Sequence, residues 1–428
     1  MATFLWSTLA NGAVITNFNK DSDVFDFDIA AAAASVIFSP VGGVTFSYQG
    51  KNVTIANIIP EQLTTTNVTF SVDQSRLIIG DNITGTAGDA LSNNILGTAK
   101  NDQLRGLAGS DTLDGNTGSD LIYGNQGDDR VAGHSGDDTV FGGQGNDIID
   151  YFNALSGDNL LIYGNRDDDT ITGGAGDDTL YGGQGNDSIQ GGNGAGITFG
   201  NNGDDTLRGG TGNDTARGGD GDDIIFTGGG NNLAYGNVGD DLIIVEGTND
   251  TVFGGRNNDH VDVVGPNGVT SLIYGNTGDD RLDGGVGRDT LYGGQDNDVL
   301  IGRGGQDVLT GGTGRDQFEF GLSSDSGFTS STADTITDFL SDDDAITGFG
   351  NGSVDNYSEV DYFASSVEEA VVAYEGNAEG VFSRFTFIAG ETDGYLIIDL
   401  SEDGVADSVI VLKGANELSE FDWINIGF

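Results

Sequence analysis

The chain has 428 residues, 74 glycines, three prolines and no cysteine, and its 68 acidic against 16 basic residues give a formal charge of −52. That charge repels phosphates, so nucleic acid is excluded as a partner, and the missing thiols exclude a disulfide framework and thiolate metal sites. Strong net charge is also a mark of disorder, but acid spaced at a fixed interval among glycines is what a ladder of hard cations requires.

The first segment, "MATFLWSTLANGAVITNFNK", has no basic residue before Lys20 and no long apolar core, so it does not read as a Sec-type signal peptide. The best apolar run, "IAAAAASVIF" at 29–38, falls short of the roughly 18 residues of a membrane helix, and no membrane insertion is expected. Residues 1–79 alternate polar and apolar, as in "VTFSYQGKNVTIANIIP", and predict a small β-rich domain that caps the segment after it.

The second segment, 80–319, is repetitive. From 97 to 319 the sequence divides into nine-residue units reading G-G-x-G-x-D-x-U-x, where U is aliphatic; 20 of 24 units carry Asp at the sixth position, and two are lengthened. Glycines permit tight turns with positive φ and bare carbonyls, Asp adds a carboxylate, and x-U-x makes a short strand with U inward and its neighbours outward. This unit resembles the calcium-binding nonapeptide of RTX (repeats-in-toxin) proteins. The resemblance implies an all-β fold, a right-handed parallel β-roll or solenoid with two units per coil, flanked here by small β-rich N- and C-terminal domains. It also implies several Ca2+ ions held by oxygens between the loops of successive coils.

Consecutive units alternate edges of such a roll. The first edge then carries Asp111, Asp129, Asp147, Asp169, Asp187, Asp205, Asp223, Asp241, Asp259, Asp280, Asp298 and Asp316. The second carries Asp102, Asp120, Asp138, Asp178, Asp214, Asp250, Asp289 and Asp307. A longer period overlies the nonapeptide, since "LIYGN" recurs at 121, 161 and 272, giving blocks of four units. The four units without a sixth-position Asp (151–163, 191–199, 227–235 and 263–274) are each the fourth of a block, and they include both lengthened units. One filled and one sparse calcium column are expected. The same parity puts Tyr123, Phe141, Tyr163, Tyr181, Phe199, Tyr235, Phe253, Tyr274 and Tyr292 in one outward ladder, interrupted by Arg217. So long an apolar strip calls for cover, by the terminal segments or by a partner.

The third segment, 320–428, is β-rich with one helix. "SSVEEAVVAYEG" predicts it, with Ser366 and Glu369 as a capping box and Val367, Ala370, Val371 and Tyr374 on one face. Asp399, Ser401, Asp403, Gly404 and Asp407 have the spacing of an EF-hand loop start, without the twelfth-position Glu because residue 410 is Ile, and make Asp399 and Asp403 further candidate calcium ligands. "DTITDFLSDDDAITGF" and "DGYLIIDLSEDGVADSVIVLKG" resemble the segment after the roll in serralysin-like RTX proteins. The end, "EFDWINIGF", is similar to the uncleaved signal read by a type I exporter.

Neither an H-E-x-x-H nor a G-x-S-x-G motif occurs, so no protease domain or serine nucleophile is expected, and the chain is not read as an enzyme. The expectation is a secreted, extracellular calcium-binding structural protein that folds in external calcium. It assembles with its own copies at a bacterial surface, as surface-layer or oscillin-like RTX proteins do. The alternative is a soluble adhesin that offers its aromatic face to a cell-surface glycan or matrix.

Overall fold

The computed structural model describes residues 92–152, 157–265, 269–320, 332–340, 343–347, 357–375, 385–390, 392–399, 406 and 408–415, with Leu9 and eight short strands before residue 80. The chain divides into two compact units, Met1–Thr211 and Gly212–Phe428.

In unit one the nonapeptides build two parallel sheets, one from alternate units and one from those between. The first runs through Gln103–Ala108, Leu121–Gln126, Thr139–Gln144, Leu161–Arg166, Thr179–Gln184 and Ile197–Asn202. Its register advances by one coil at each pairing, Leu121 onto Thr139 and Thr179 onto Ile197. The lengthened unit is absorbed in its turn, for Thr139 pairs with Leu161 and the strands stay aligned. The second sheet runs from Asn94–Leu96 to Thr206–Gly210 in the same way. The strands show the expected alternation, with the eighth-position residue buried between the sheets: Leu104, Leu113, Ile122, Val131, Val140 and Ile149 have no exposed surface.

The second sheet's outward residues are mostly polar or small, with Leu96 and Ile148 as exposed exceptions, while the first carries the aromatic ladder. Tyr123, Phe141, Tyr163, Tyr181 and Phe199 stack face to face with centroids 4.6–5.0 Å apart and planes within 8°. The Arg105 guanidinium lies 4.2 Å from the Tyr123 centroid and covers the ladder's first face.

Unit two repeats the design. Thr215–Asp220, Leu233–Val238, Thr251–Arg256, Leu272–Thr277, Thr290–Gln295 and Val308–Thr313 form one parallel sheet. Ile224–Gly228 through Ala345–Thr347 form the other. Tyr235, Phe253, Tyr274 and Tyr292 stack at 4.9–5.0 Å, and Arg217 lies 4.5 Å above Tyr235. Asp334–Ile336 pairs with both Val308–Thr313 and Ser408–Lys413, so the C-terminal strands join the roll's own sheet. Beyond it, Phe385–Gly390, Asp393–Ile398 and Ser408–Lys413 are antiparallel, and the helix Val367–Glu375 buries Val367, Ala370 and Tyr374 against this region. Ser366 Oγ accepts the Glu369 N–H at 3.2 Å, as the capping motif predicts, while the Glu369 carboxylate reaches back one residue further, to the Ser365 N–H at 2.9 Å.

Before residue 80 the described residues fall in eight short strands and Leu9. Leu77–Ile79 pairs in parallel with Gln103–Ala108 and adds a strand to the roll's first sheet.

Candidate metal centre

The sixth-position aspartates are buried, each at most 4% exposed, although free carboxylates belong in water. Backbone geometry accounts for half of each carboxylate. On the first edge of unit one the Asn93 N–H donates to Asp111 Oδ1. The bond repeats from Asp111 to Asp129, Asp129 to Asp147, Asp147 to Asp169, Asp169 to Asp187 and Asp187 to Asp205, all at 2.7–2.8 Å. Unit two has the same ladder from Asp223 through Asp241, Asp259, Asp280 and Asp298 to Asp316, at 2.7–3.0 Å.

The other oxygen faces inward. Oδ2 of Asp129, Asp147, Asp169 and Asp187 in unit one, and of Asp241, Asp259, Asp280 and Asp298 in unit two, is buried with no hydrogen-bond donor in reach. On the second edge the same is true of Asp120 and Asp178. A buried anionic oxygen without a partner is costly, so each marks a place for a cation. Gly164 shows what else converges there: a methyl group on its Cα would strike Asp169 Oδ2 and the carbonyl oxygen of Gly182 one coil on. The first-position glycine is therefore a steric requirement, holding open a space lined by a carboxylate and a glycine carbonyl.

No three acidic or histidine side chains converge on one point among the described residues, so a cation here takes much of its shell from backbone carbonyls. Such an all-oxygen donor set suits calcium, and the residues fit it. Bound there, calcium supplies the charge that lets the buried carboxylates stay ionised.

Electrostatics sharpen the point. Burial pushes Asp120, Asp169, Asp259 and Asp298 up to about 8, and the carboxylates one coil above and below push the same way, against the backbone N–H bond that lowers them. Asp129, Asp147, Asp187, Asp241, Asp280 and Asp289 rise to about 7, again chiefly through burial.

The four units lacking Asp change the side chain of the backbone ladder. Leu160 and Ser271 still donate their N–H to Asp178 and Asp289 Oδ1 at 2.9 and 2.6 Å but return no carboxylate. Gly196 fills the position in 191–199. Asn232 keeps the acceptor, taking the Asp214 N–H on Oδ1 at 2.8 Å. Three of these units also lose the first-position glycine, to Tyr151, Thr227 and Val263. Once Oδ2 is gone, one of the two collisions that forbid a Cβ there is gone too, while at Gly191 the Gly209 carbonyl would still meet one.

Two features escaped the repeat pattern. The ladders of unit two extend past the nonapeptides, because Asp307 and Asp316 donate to Asp334 and Asp344 Oδ1 at 2.8 and 3.0 Å. These acceptors lie 27 and 28 residues on, not 18, so no fixed period finds them. The fifth position carries an exposed outer ladder of the opposite sense, in which Asp128 Oδ1 accepts the Asn146 N–H at 3.0 Å and Asn146 Oδ1 accepts the Asp168 N–H at 3.2 Å. The Asp or Asn preceding nearly every first-edge sixth-position Asp is its signature in the sequence.

Of the two EF-hand candidates, Asp399 is fully buried and accepts the Tyr374 hydroxyl at 2.8 Å in the C-terminal core. Asp403 lies outside the described residues, as does the terminal "EFDWINIGF".

Fold and site together define a β-roll whose turns bury carboxylates for a hard cation. The chain belongs to the family of the RTX calcium-binding nonapeptide repeat (four copies), which it matches over 87–161, 163–197, 199–261 and 272–327, more than half its length. It is thus a calcium-binding β-roll protein. No curated protein matches it. Among solved structures, the solution structure of the AlgE6R3 subunit from the Azotobacter vinelandii mannuronan C5-epimerase is similar. That similarity is 24% identity and a TM-score of 0.20, over 41% of this chain and 80% of that one.

Proposed function

We propose that this protein is a secreted structural component that binds several calcium ions along its turns, folds when it meets external calcium, and assembles with its own copies at a bacterial surface. The observation that carries the calcium reading is the first-edge ladder of each unit, where the inward oxygens of Asp147, Asp169, Asp259 and Asp280 among others have no hydrogen-bond donor. Inside a cell, where calcium is scarce, mutual repulsion keeps such a chain open, as passage through a type I exporter requires. Outside, ion binding and folding become one event.

The assembly reading draws on the ring ladder. On a chain of charge −52 the strip of Tyr123, Phe141, Tyr163, Tyr181 and Phe199, flanked by Leu121, Leu161 and Ile197, carries no acid, and two copies approach there with least repulsion. The strip also weighs against a glycan adhesin. Sugars stack on ring faces, and both faces of Phe141, Tyr163 and Tyr181 are occupied by neighbouring rings.

Electron microscopy of the full chain before and after calcium, with analytical ultracentrifugation, tests the proposal. Ordered sheets or filaments that dissolve in chelator are expected. A holo-protein that stays monomeric at high concentration defeats the assembly reading, and a far-ultraviolet spectrum identical in calcium and EGTA defeats the calcium reading.

A further inference from the structure

On the second edge, some turns place a protein group where the first edge leaves a bare carboxylate oxygen. In unit two, Thr227 stands at the first position of its turn, 1% exposed, and donates its hydroxyl to Asp250 Oδ2 at 3.3 Å. The Gly247 N–H donates to the same oxygen at 3.2 Å, and Thr227 Oγ1 accepts the Glu246 N–H at 3.1 Å. Asn232 completes the arrangement. Its Oδ1 accepts from Asp214 at 2.8 Å, its Nδ2 donates to the Gly228 carbonyl at 3.1 Å, and its N–H donates to Asp250 Oδ1 at 2.6 Å.

The chemistry is a substitution of charge. A carboxylate at position six sends a second negative oxygen inward, and that oxygen needs a cation. An amide sends N–H protons there instead and satisfies a glycine carbonyl of its own turn. Loss of Asp by drift at position six alone would leave the first-position glycine untouched. Here positions one and six change together, and the new groups take up the space and the polar atoms.

We infer that the turns 227–235 and 245–253 form a cation-free clamp that holds the second edge closed through protein groups and takes no calcium. The inference rests on the reading that the first-edge carboxylates hold calcium. It gives the sparse edge a role: these turns keep local order when the filled column is stripped, and so provide registered starting points for refolding.

Hydrogen exchange on the full-length protein at pH 7.5, in calcium and after EGTA, reads this directly. In EGTA the amides of Asn232, Glu246 and Gly247 are expected to exchange at least tenfold more slowly than those of Asp241 and Asp259; equal rates overturn the inference. Thr227→Val keeps the shape but deletes the hydroxyl. It is expected to remove that tenfold difference at Glu246 while leaving bound calcium, counted by equilibrium dialysis, unchanged; retained protection overturns the role of Thr227. The double variant T227G/N232D restores the binding pattern and is expected to bind one more calcium per chain, and an unchanged count tells equally against the clamp. A wild-type chain that binds no calcium sinks the proposed function instead, and the exchange rates then judge the clamp separately.

Discussion

Replacing Asp169 by Asn separates the two halves of the carboxylate. Oδ1 survives as an amide oxygen and still accepts the Asp147 N–H, now 2.8 Å away. Oδ2 becomes an N–H group that the Asn232 precedent directs onto the carbonyl of the residue four earlier, here Asn165. Without calcium the change is favourable. Burial has raised Asp169 from 3.8 to about 8, and at ~1.4 kcal/mol per unit the folded metal-free chain carries a cost on the order of 5 kcal/mol at pH 7.5 for this one side chain. That rivals the ~5–15 kcal/mol that holds an ordinary domain together, and the neutral amide removes most of it. With calcium the sign reverses, because a ligand is lost and affinity should fall roughly tenfold or more. Circular dichroism therefore ought to show Asp169→Asn forming β-structure at higher pH than wild type in EGTA, yet needing more calcium to fold at pH 7.5. A variant weakened equally under both conditions would show that Asp169 serves only as a hydrogen-bond acceptor, and the charge argument would fail.

Other consequences follow from the same geometry. The raised aspartates bind protons in the fold that the open chain has released, so metal-free stability is fullest below about pH 4 and is lost as pH rises through 7 to 8. An EGTA-treated sample titrated from pH 8.5 to 5 should gain β-signal, and calorimetry near pH 6.5 should record protons released on calcium binding; no pH dependence in either would refute the burial argument. Gly164→Ala drives a methyl into Asp169 Oδ2 and the Gly182 carbonyl, and overpacking of this kind costs about 1–3 kcal/mol or more, so the melting temperature in saturating calcium should drop. Tyr163→Ala deletes two stacked contacts, at 5.0 and 4.8 Å, worth about 1–3 kcal/mol together. An unshifted urea midpoint would show the rings to be passive.

Sequence reading reached the architecture because one rule repeats. The nine-residue period fixes the two edges, the inward aliphatic residue and the aromatic parity, and the eighth-position residues obey it: Ile122, Val140, Ile162 and Leu180 are all fully buried. What lay outside the rule stayed hidden. Asp334 and Asp344 join the ladders across insertions, where three-dimensional stacking restores a register the sequence has lost. Thr227 is visible only as a departure from glycine, and its partner, Asp250, lies one coil further along the chain. Asp399 shows the converse, a calcium-like spacing whose carboxylate the fold gives to a tyrosine hydroxyl.

The asymmetry of the edges has a physical logic. A roll with every turn carboxylated stacks buried anions on both sides, and each coil then depends on cations twice. Placing neutral residues in the four units 151–163, 191–199, 227–235 and 263–274 relieves that repulsion on one edge, and at Asn232 it does so without breaking the backbone ladder, since Asp214 and Asp250 remain linked through the amide at 2.8 and 2.6 Å. The first edge keeps its full charge and therefore its calcium sensitivity. Dependence on the ion is thereby concentrated in one column, where neighbouring carboxylates raise one another's protonation and ions entering successive turns relieve the same strain. Binding along that column should be cooperative, with a Hill coefficient above one for the wild type that falls when Asp259→Asn interrupts the run between Asp241 and Asp280; a non-cooperative wild-type isotherm would show that the turns act independently.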